Sequence, residues 1–170
     1  MPRSTGPSRQ LATSAPELWE ALAGDAAAES PLWRDALRPE DEREAVAVFS
    51  DLCGEPHALG LETVYEGYLA HYGRPRLFAP ADDDTALLLG DYLYAHGLVR
   101  IAASGNVDAV RELAELISRC AHLRADGREG DGEAWVETAL RLGDGSADPG
   151  AVAAALVRHE HRFAGSHAAG

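Results

Sequence analysis

Residues 82 to 125 read DDDTALLLGDYLYAHGLVRIAASGNVDAVRELAELISRCAHLRA, a long proline-free stretch whose first half is apolar nearly all round. Leu87, Leu88, Leu89, Tyr92, Leu93, Tyr94, Leu98, Val99 and Ile101 leave only Asp91, His96 and Arg100 as polar interruptions. A helix with so little polar face is expected to be buried. Ser104, Gly105 and Asn106 break the run. Beyond them Val107, Val110, Leu113, Ala114, Ile117, Cys120 and Ala121 recur at the three-and-four spacing of one helix face. Two helices joined by a short loop predict an αα-hairpin, the second packing back on the first. Ala86, Gly90 and Gly97 fall near one line of the first helix, since four and seven residues advance about 400° and 700°. A line of small residues permits close approach of another helix.

Working outward, the 170 residues are enough for one core, and one domain is expected. The chain is 46% hydrophobic and 25% charged, as in an ordinary globular protein, and its alanine and leucine content favours helix. A net charge of −13 and a pI near 4.8 argue against a general nucleic-acid binder, which needs clustered cations to meet phosphates. All fifteen basic residues are arginine. Cys53 and Cys120 lack CxxC spacing, so they read as buried free thiols. No charged-then-apolar leader is read at the start and no apolar run reaches membrane-span length, which predicts a cytoplasmic protein without a membrane span.

Residues 1–14 read as a disordered arm, 15–164 as one helical domain and 165–170 as a flexible tail. Pro16 opens a short amphipathic helix, and Pro31 to Leu37 reads as a connection. Pro39 with Glu40, Asp41 and Glu42 predicts the start of a helix reaching Cys53, stopped by Gly54 and Pro56. Further helices are expected over about 57–72, 132–142 and 150–163, separated by proline- and glycine-rich loops. The fold expected is all-α, a bundle of about six or seven helices.

The run LLLGDYLYAHGLVRIAASGNVDAVRELAELI, within Asp82 to roughly Asp126, resembles the helical hairpin of the trans-prenyl diphosphate synthases. The likeness rests on Gly90, Asp91, Tyr92, Ala95 and the turn at Gly105. Those synthases hold Mg²⁺ against a diphosphate with two DDxxD motifs, whose paired carboxylates are the hard ligands that magnesium takes. This chain has no DDxxD. A short chain with the hairpin and without the motifs looks more like the small, non-catalytic subunit of the two-component enzymes that make hexaprenyl or heptaprenyl diphosphate. That resemblance implies a truncated isoprenoid-synthase-like bundle, no cofactor in this chain, Mg²⁺ in a catalytic partner, and a hetero-oligomer. It implies a partner interface on the hairpin, for which Ala86, Gly90, Leu93, Tyr94 and Gly97 are the candidates.

The remaining candidates each have a plainer reading. Asp82, Asp83 and Asp84 are carboxylates that suit a metal ion, but at a helix start they also cap free N–H groups, the preferred reading. Asp91, His96 and Arg100 are expected as buried polar groups, with Arg100, His96 or a tyrosine hydroxyl as the partner of Asp91. Arg74 and Arg76 are weak candidates for a diphosphate. His159, Glu160, His161 and His167 invite zinc, but His159 and His161 diverge by about 200° on a helix. A solvated, basic helix end is the preferred reading there. Catalytic residues are not identified. The leading reading is thus a non-catalytic subunit of a prenyl synthase. The alternatives are a stand-alone helical interaction or regulatory protein forming a homo-oligomer, and a small metal-dependent enzyme.

Overall fold

A computed structural model describes residues 15–164; the arm and tail expected at 1–14 and 165–170 lie outside the described residues. Eight α-helices follow in order: α1 Ala15–Glu29, α2 Pro31–Ala36, α3 Ser50–Cys53, α4 Ala58–Tyr72, α5 Asp83–Ala103, α6 Val107–Ala125, α7 Asp131–Leu142 and α8 Pro149–His161. A 3-10 turn at Glu40–Glu42 precedes α3. Among the described residues there is no strand, only one bridge between Leu37 and Phe78. The all-α class expected from the sequence is the class found.

The helix ends follow local chemistry. Asp82 Oδ1 accepts the N–H of Thr85 at 2.7 Å, Asn106 Oδ1 that of Ala109 at 3.0 Å, and Asp148 Oδ2 that of Ala151 at 3.2 Å. Each side chain satisfies a donor that the first helical turn leaves free. Gly105, at φ +77°, makes the turn of the α5–α6 hairpin in a conformation that L side chains avoid. Two of the eight helices, α2 and α3, are shorter than any helix expected from the sequence, and α2 occupies the segment read as a connection.

The predicted helix from Pro39 to Cys53 is not formed. Only the turn at Glu40–Glu42 and the four residues of α3 are helical, and residues 43–49 run irregularly between them. The cause lies elsewhere in the chain. Glu62 Oε1, inside α4, accepts the backbone N–H groups of Val48, Phe49 and Ser50 at 3.0, 3.1 and 2.9 Å. A carboxylate that takes three consecutive donors removes them from any helical ladder. The proline and acidic turn start a helix that Glu62 then diverts.

The centre of the molecule is α4, not the hairpin. Eleven of its fifteen residues are buried, against five of twenty-one in α5. Phe49, Tyr65, Tyr68 and Trp135 form the aromatic heart, with Phe49 stacked on Trp135 at 5.5 Å and Tyr65 edge-on to Trp135 at 4.9 Å. Each such side chain removes a large apolar area from water, and the edge and offset arrangements suit the ring quadrupoles. Thus α5 packs chiefly against α4, while α6 closes over α7.

Glycines set that main contact. A Cβ on Gly97 would sit 2.9 Å from Gly60 O and 2.4 Å from Val64 Cγ2, and one on Gly67 would sit 2.9 Å from Gly90 O. The helices run antiparallel, so Gly60 meets Gly97 and Gly67 meets Gly90 two turns further along. Backbone approaches backbone at both places. The small-residue line of α5 is therefore filled by α4 of the same chain, which leaves Gly90, Leu93 and Gly97 buried and without surface for a partner. Ala86 and Tyr94 are half-buried at its margins.

Candidate functional site

The opposite face of α5 is bare and apolar. Leu88, Ala95 and Val99 lie within about 40° of one line, roughly half a turn from the glycines. Leu87, Leu88 and Val99 are 55%, 55% and 65% exposed, and Ala95 is exposed between them. The expectation that an apolar α5 is buried all round is corrected here: the bundle covers one side and leaves the other. Apolar residues aligned on one exposed helix face mark an interaction surface more often than scattered ones do.

The three polar interruptions of α5 frame this face. Asp91 is exposed rather than buried, and pairs with His71 of α4 at 3.3 Å. Arg100 reaches Asp25 of α1 at 2.5 Å, and His96 stands tilted against Tyr92 at 4.8 Å. Tyr92 in turn stacks on Trp33 of α2 at 5.2 Å. The expected burial of Asp91 beside Arg100, His96 or a tyrosine is not found: Asp91 pairs with α4, Arg100 with α1, and His96 rests on Tyr92 of α5 itself. His71 is held below its ordinary value by burial, against the pull of Asp91.

The two candidate arginines separate. Arg76 is fully buried: its Nη1 meets Glu62 Oε2 at 2.5 Å, and its Nε meets Glu66 Oε2 at 2.8 Å. Glu66 Oε1 also accepts the N–H of Arg76 and of Leu77, each at 2.8 Å, and the guanidinium lies 4.5 Å from the Trp19 ring. Burial would raise the Glu62 carboxyl, but the charge of Arg76 and the donated hydrogen bonds hold it below its ordinary range. Arg76 is thus committed to the core and has no free donor face for a diphosphate. Arg74 is exposed and donates to His161 O at 3.3 Å.

Asp82 is the N-cap of α5, and Asp83 and Asp84 occupy its first turn. Among the described residues no three His, Cys, Asp or Glu side chains converge as a metal-binding group, so these three carboxylates do not form one. The thiols of Cys53 and Cys120 are buried, and burial pushes both up to about 12, which leaves them protonated and unreactive.

The basic helix end also needs correction. His159 is 4% exposed and sits inside a polar cluster; His161 is exposed, and His167 lies outside the described residues. Tyr65 OH lies 2.9 Å from His159 Nδ1, and His159 Nε2 lies 3.2 Å from Asp131 Oδ2. The same Asp131 oxygen accepts from Tyr68 OH and Arg124 Nη2, and Arg124 Nε donates to Tyr68 OH at 2.8 Å. A carboxylate oxygen only accepts, so Nε2 carries a proton toward Asp131. Burial opposes ionisation of Asp131, yet His159, Tyr68 and Arg124 hold it well below the usual carboxylate range. Burial pushes both tyrosines up. Both phenols stay protonated, and no nucleophile is generated. The cluster ties α4, α6, α7 and α8 together beneath a cleft of about 470 Å³ lined by Arg124, Glu129, Leu156, Glu160 and Phe163.

No family model, curated protein or solved structure matches this chain. Its function must therefore be argued from the geometry and the hairpin pattern. Sequence reasoning missed Glu62, Glu66, Tyr68, Arg124 and Asp131, whose partners lie on other elements, seven to sixty-three positions away. It also missed the outer α5 face, although the spacing of Leu88, Ala95 and Val99 carries that signal.

Proposed function

We propose that the chain is a non-catalytic helical subunit that docks on a partner through the outer face of α5. The observation that carries this reading is the row Leu88, Ala95 and Val99, with Leu87 beside it, left bare on the side of α5 away from α4. Covering four such side chains removes apolar area from water at about 25 cal/mol per Å², and the small Ala95 in the middle lets a partner helix approach closely. The partner we propose is a full-length trans-prenyl diphosphate synthase, which would supply the DDxxD carboxylates, the Mg²⁺ and the chemistry. The hairpin of this chain resembles the segment that forms the dimer interface in that family, and α5 is its first helix. The interface candidates thereby move from the glycine line to the opposite face.

The test is co-expression with the host's full-length prenyl synthases, followed by size exclusion and a prenyl-transfer assay with allylic diphosphate, isopentenyl diphosphate and Mg²⁺. Co-elution is expected, with activity or product length that depends on this chain and is lost in Leu88→Glu and Val99→Glu. A synthase equally active alone, with no co-elution, would refute the partner. If the chain instead self-associates through the same two residues, the homo-oligomeric interaction protein replaces this reading.

A further inference from the structure

The chain carries a net charge of −13, yet at the end of α8 one arginine pairs with the Glu44 carboxylate and two more, whose guanidinium groups donate to the His161 and Pro75 carbonyls, lie near enough for their charges to act on it. Arg162, at the end of α8, donates from Nη2 to Glu44 Oε2 at 2.5 Å. The backbone N–H of Arg74 donates to Arg162 O at 3.0 Å, which brings the loop after α4 against the end of α8. Arg38 reaches Pro75 O with Nη2 at 3.5 Å, and its charge and that of Arg74 both act on Glu44. The hydrogen bond from Arg162, then these three charges against the opposing effect of burial, holds the Glu44 carboxyl below its ordinary range. Glu40, Asp41 and Glu42 lie on the preceding exposed turn and form no ion pair among the described residues.

Two features show that one carboxylate does not satisfy this cluster. Arg162 is only 6% exposed, yet its Nε and Nη1 have no hydrogen-bond partner among the described residues. Arg38 Nε is likewise buried and without one. Buried donors without acceptors are costly, and those on a cation most of all. Glu44 itself is the movable part. Its backbone is pinned by Arg76 O at 3.2 Å, but its side chain is 45% exposed and free to swing toward water.

We propose that Arg38, Arg74 and Arg162 form a binding site for a phosphate dianion, and that the Glu44 carboxylate is a resident placeholder that phosphate displaces. A phosphate group presents more acceptor oxygens than a carboxylate and carries up to twice the charge, so it meets guanidinium donors that Glu44 leaves unpaired. The site is separate from the outer face of α5 and stands whether or not that face docks on a synthase.

Isothermal titration of the full chain with sodium phosphate, at ionic strength held constant with sodium chloride, tests it. Saturable binding is expected, about tenfold tighter in Glu44→Gln and about tenfold weaker in Arg74→Gln, each matching the loss of one charge-assisted contact. Both positions lie at the surface, so both variants are expected to fold, and circular dichroism checks this. A parallel titration with butyl phosphate separates the sources: binding of both ligands assigns the site to phosphate monoesters, and binding of inorganic phosphate alone assigns it to the free ion. No saturable heat in wild type and Glu44→Gln alike, or an affinity unmoved by Arg74→Gln, would overturn the proposal.

Discussion

Helices α4 and α5 lie side by side and are alike in overall hydropathy, yet one is buried and the other half bare. The first buries Glu62, Thr63 and Glu66 through the middle of its length; the second keeps Leu87, Leu88 and Val99 in water. Hydropathy does not account for the difference. What buries α4 is the supply of partners: Arg76 and five backbone N–H groups converge on its two carboxylates. What exposes α5 is that the bundle has one helix, α4, to lay against its glycine face and none beyond it.

The largest effect is expected where the two buried carboxylates of α4 depend on their one cation. Arg76→Met leaves two carboxylates buried without their counter-charge, and breaking a buried pair from one side costs about 3–5 kcal/mol. Urea unfolding at neutral pH should show that loss. A second change to Glu62→Gln and Glu66→Gln should return part of it if charge, rather than shape, is the cause.

The contact between the two helices comes next. Gly97→Ala pushes a methyl group at Gly60 O and at the Val64 backbone N, atoms that cannot step aside, and should cost about 1–3 kcal/mol. Gly60→Ala meets mainly the far end of Ile101, which turns more easily, so it should cost less. Equal losses in thermal melts would mean that the backbone approach is not what sets the spacing.

Acid should weaken the fold in two stages. His71 is held below its ordinary value of 6.5, so the unfolded chain binds its proton first. The stability that neutral His71 contributes is full above pH 6.5 and is lost as pH falls through the lower folded value. Asp131 and Glu62 are depressed carboxyls, whose contribution is complete above their unfolded values and is lost at much lower pH. A pH series of unfolding free energies should therefore lose its first, smaller step in His71→Gln and keep the second.

The smallest effect on the fold is expected on the bare face. Leu88→Glu should change unfolding free energy by no more than about 0.5 kcal/mol, because it removes no packed contact. A larger loss would show that Leu88 is held within the chain, and the comparison between the two helices would weaken with it.

Much of this architecture was legible locally. The αα-hairpin, the cap at Asp82 and the limits of α4 follow from apolar spacing and from residues within a few positions of each boundary. The short α3 and the irregular run before it were not, because Glu62 takes the N–H groups of residues 48–50 from twelve to fourteen positions away. The same distance hid the roles of Arg76 and His159. Read locally they are solvated cations, and only the tertiary fold supplies the carboxylates that draw them inward. The glycines of α5 were read correctly as a close-approach line, but the helix that fills it comes from the same chain, and the face left over is the one a partner would use.

The paired glycines also govern where this chain tolerates a change of length. Gly60 meets Gly97 and Gly67 meets Gly90, so each helix must keep its two small positions seven steps apart. One residue inserted between Gly60 and Gly67 turns the following segment by about 100° and brings a side chain against the Gly90 carbonyl. Of the loop that joins the helices, residues 76–78 are anchored in the core and the Ala79 N–H donates to Ala36 O at 2.7 Å, which leaves the exposed step at Ala81 as the place where an insertion or deletion passes without shifting either crossing.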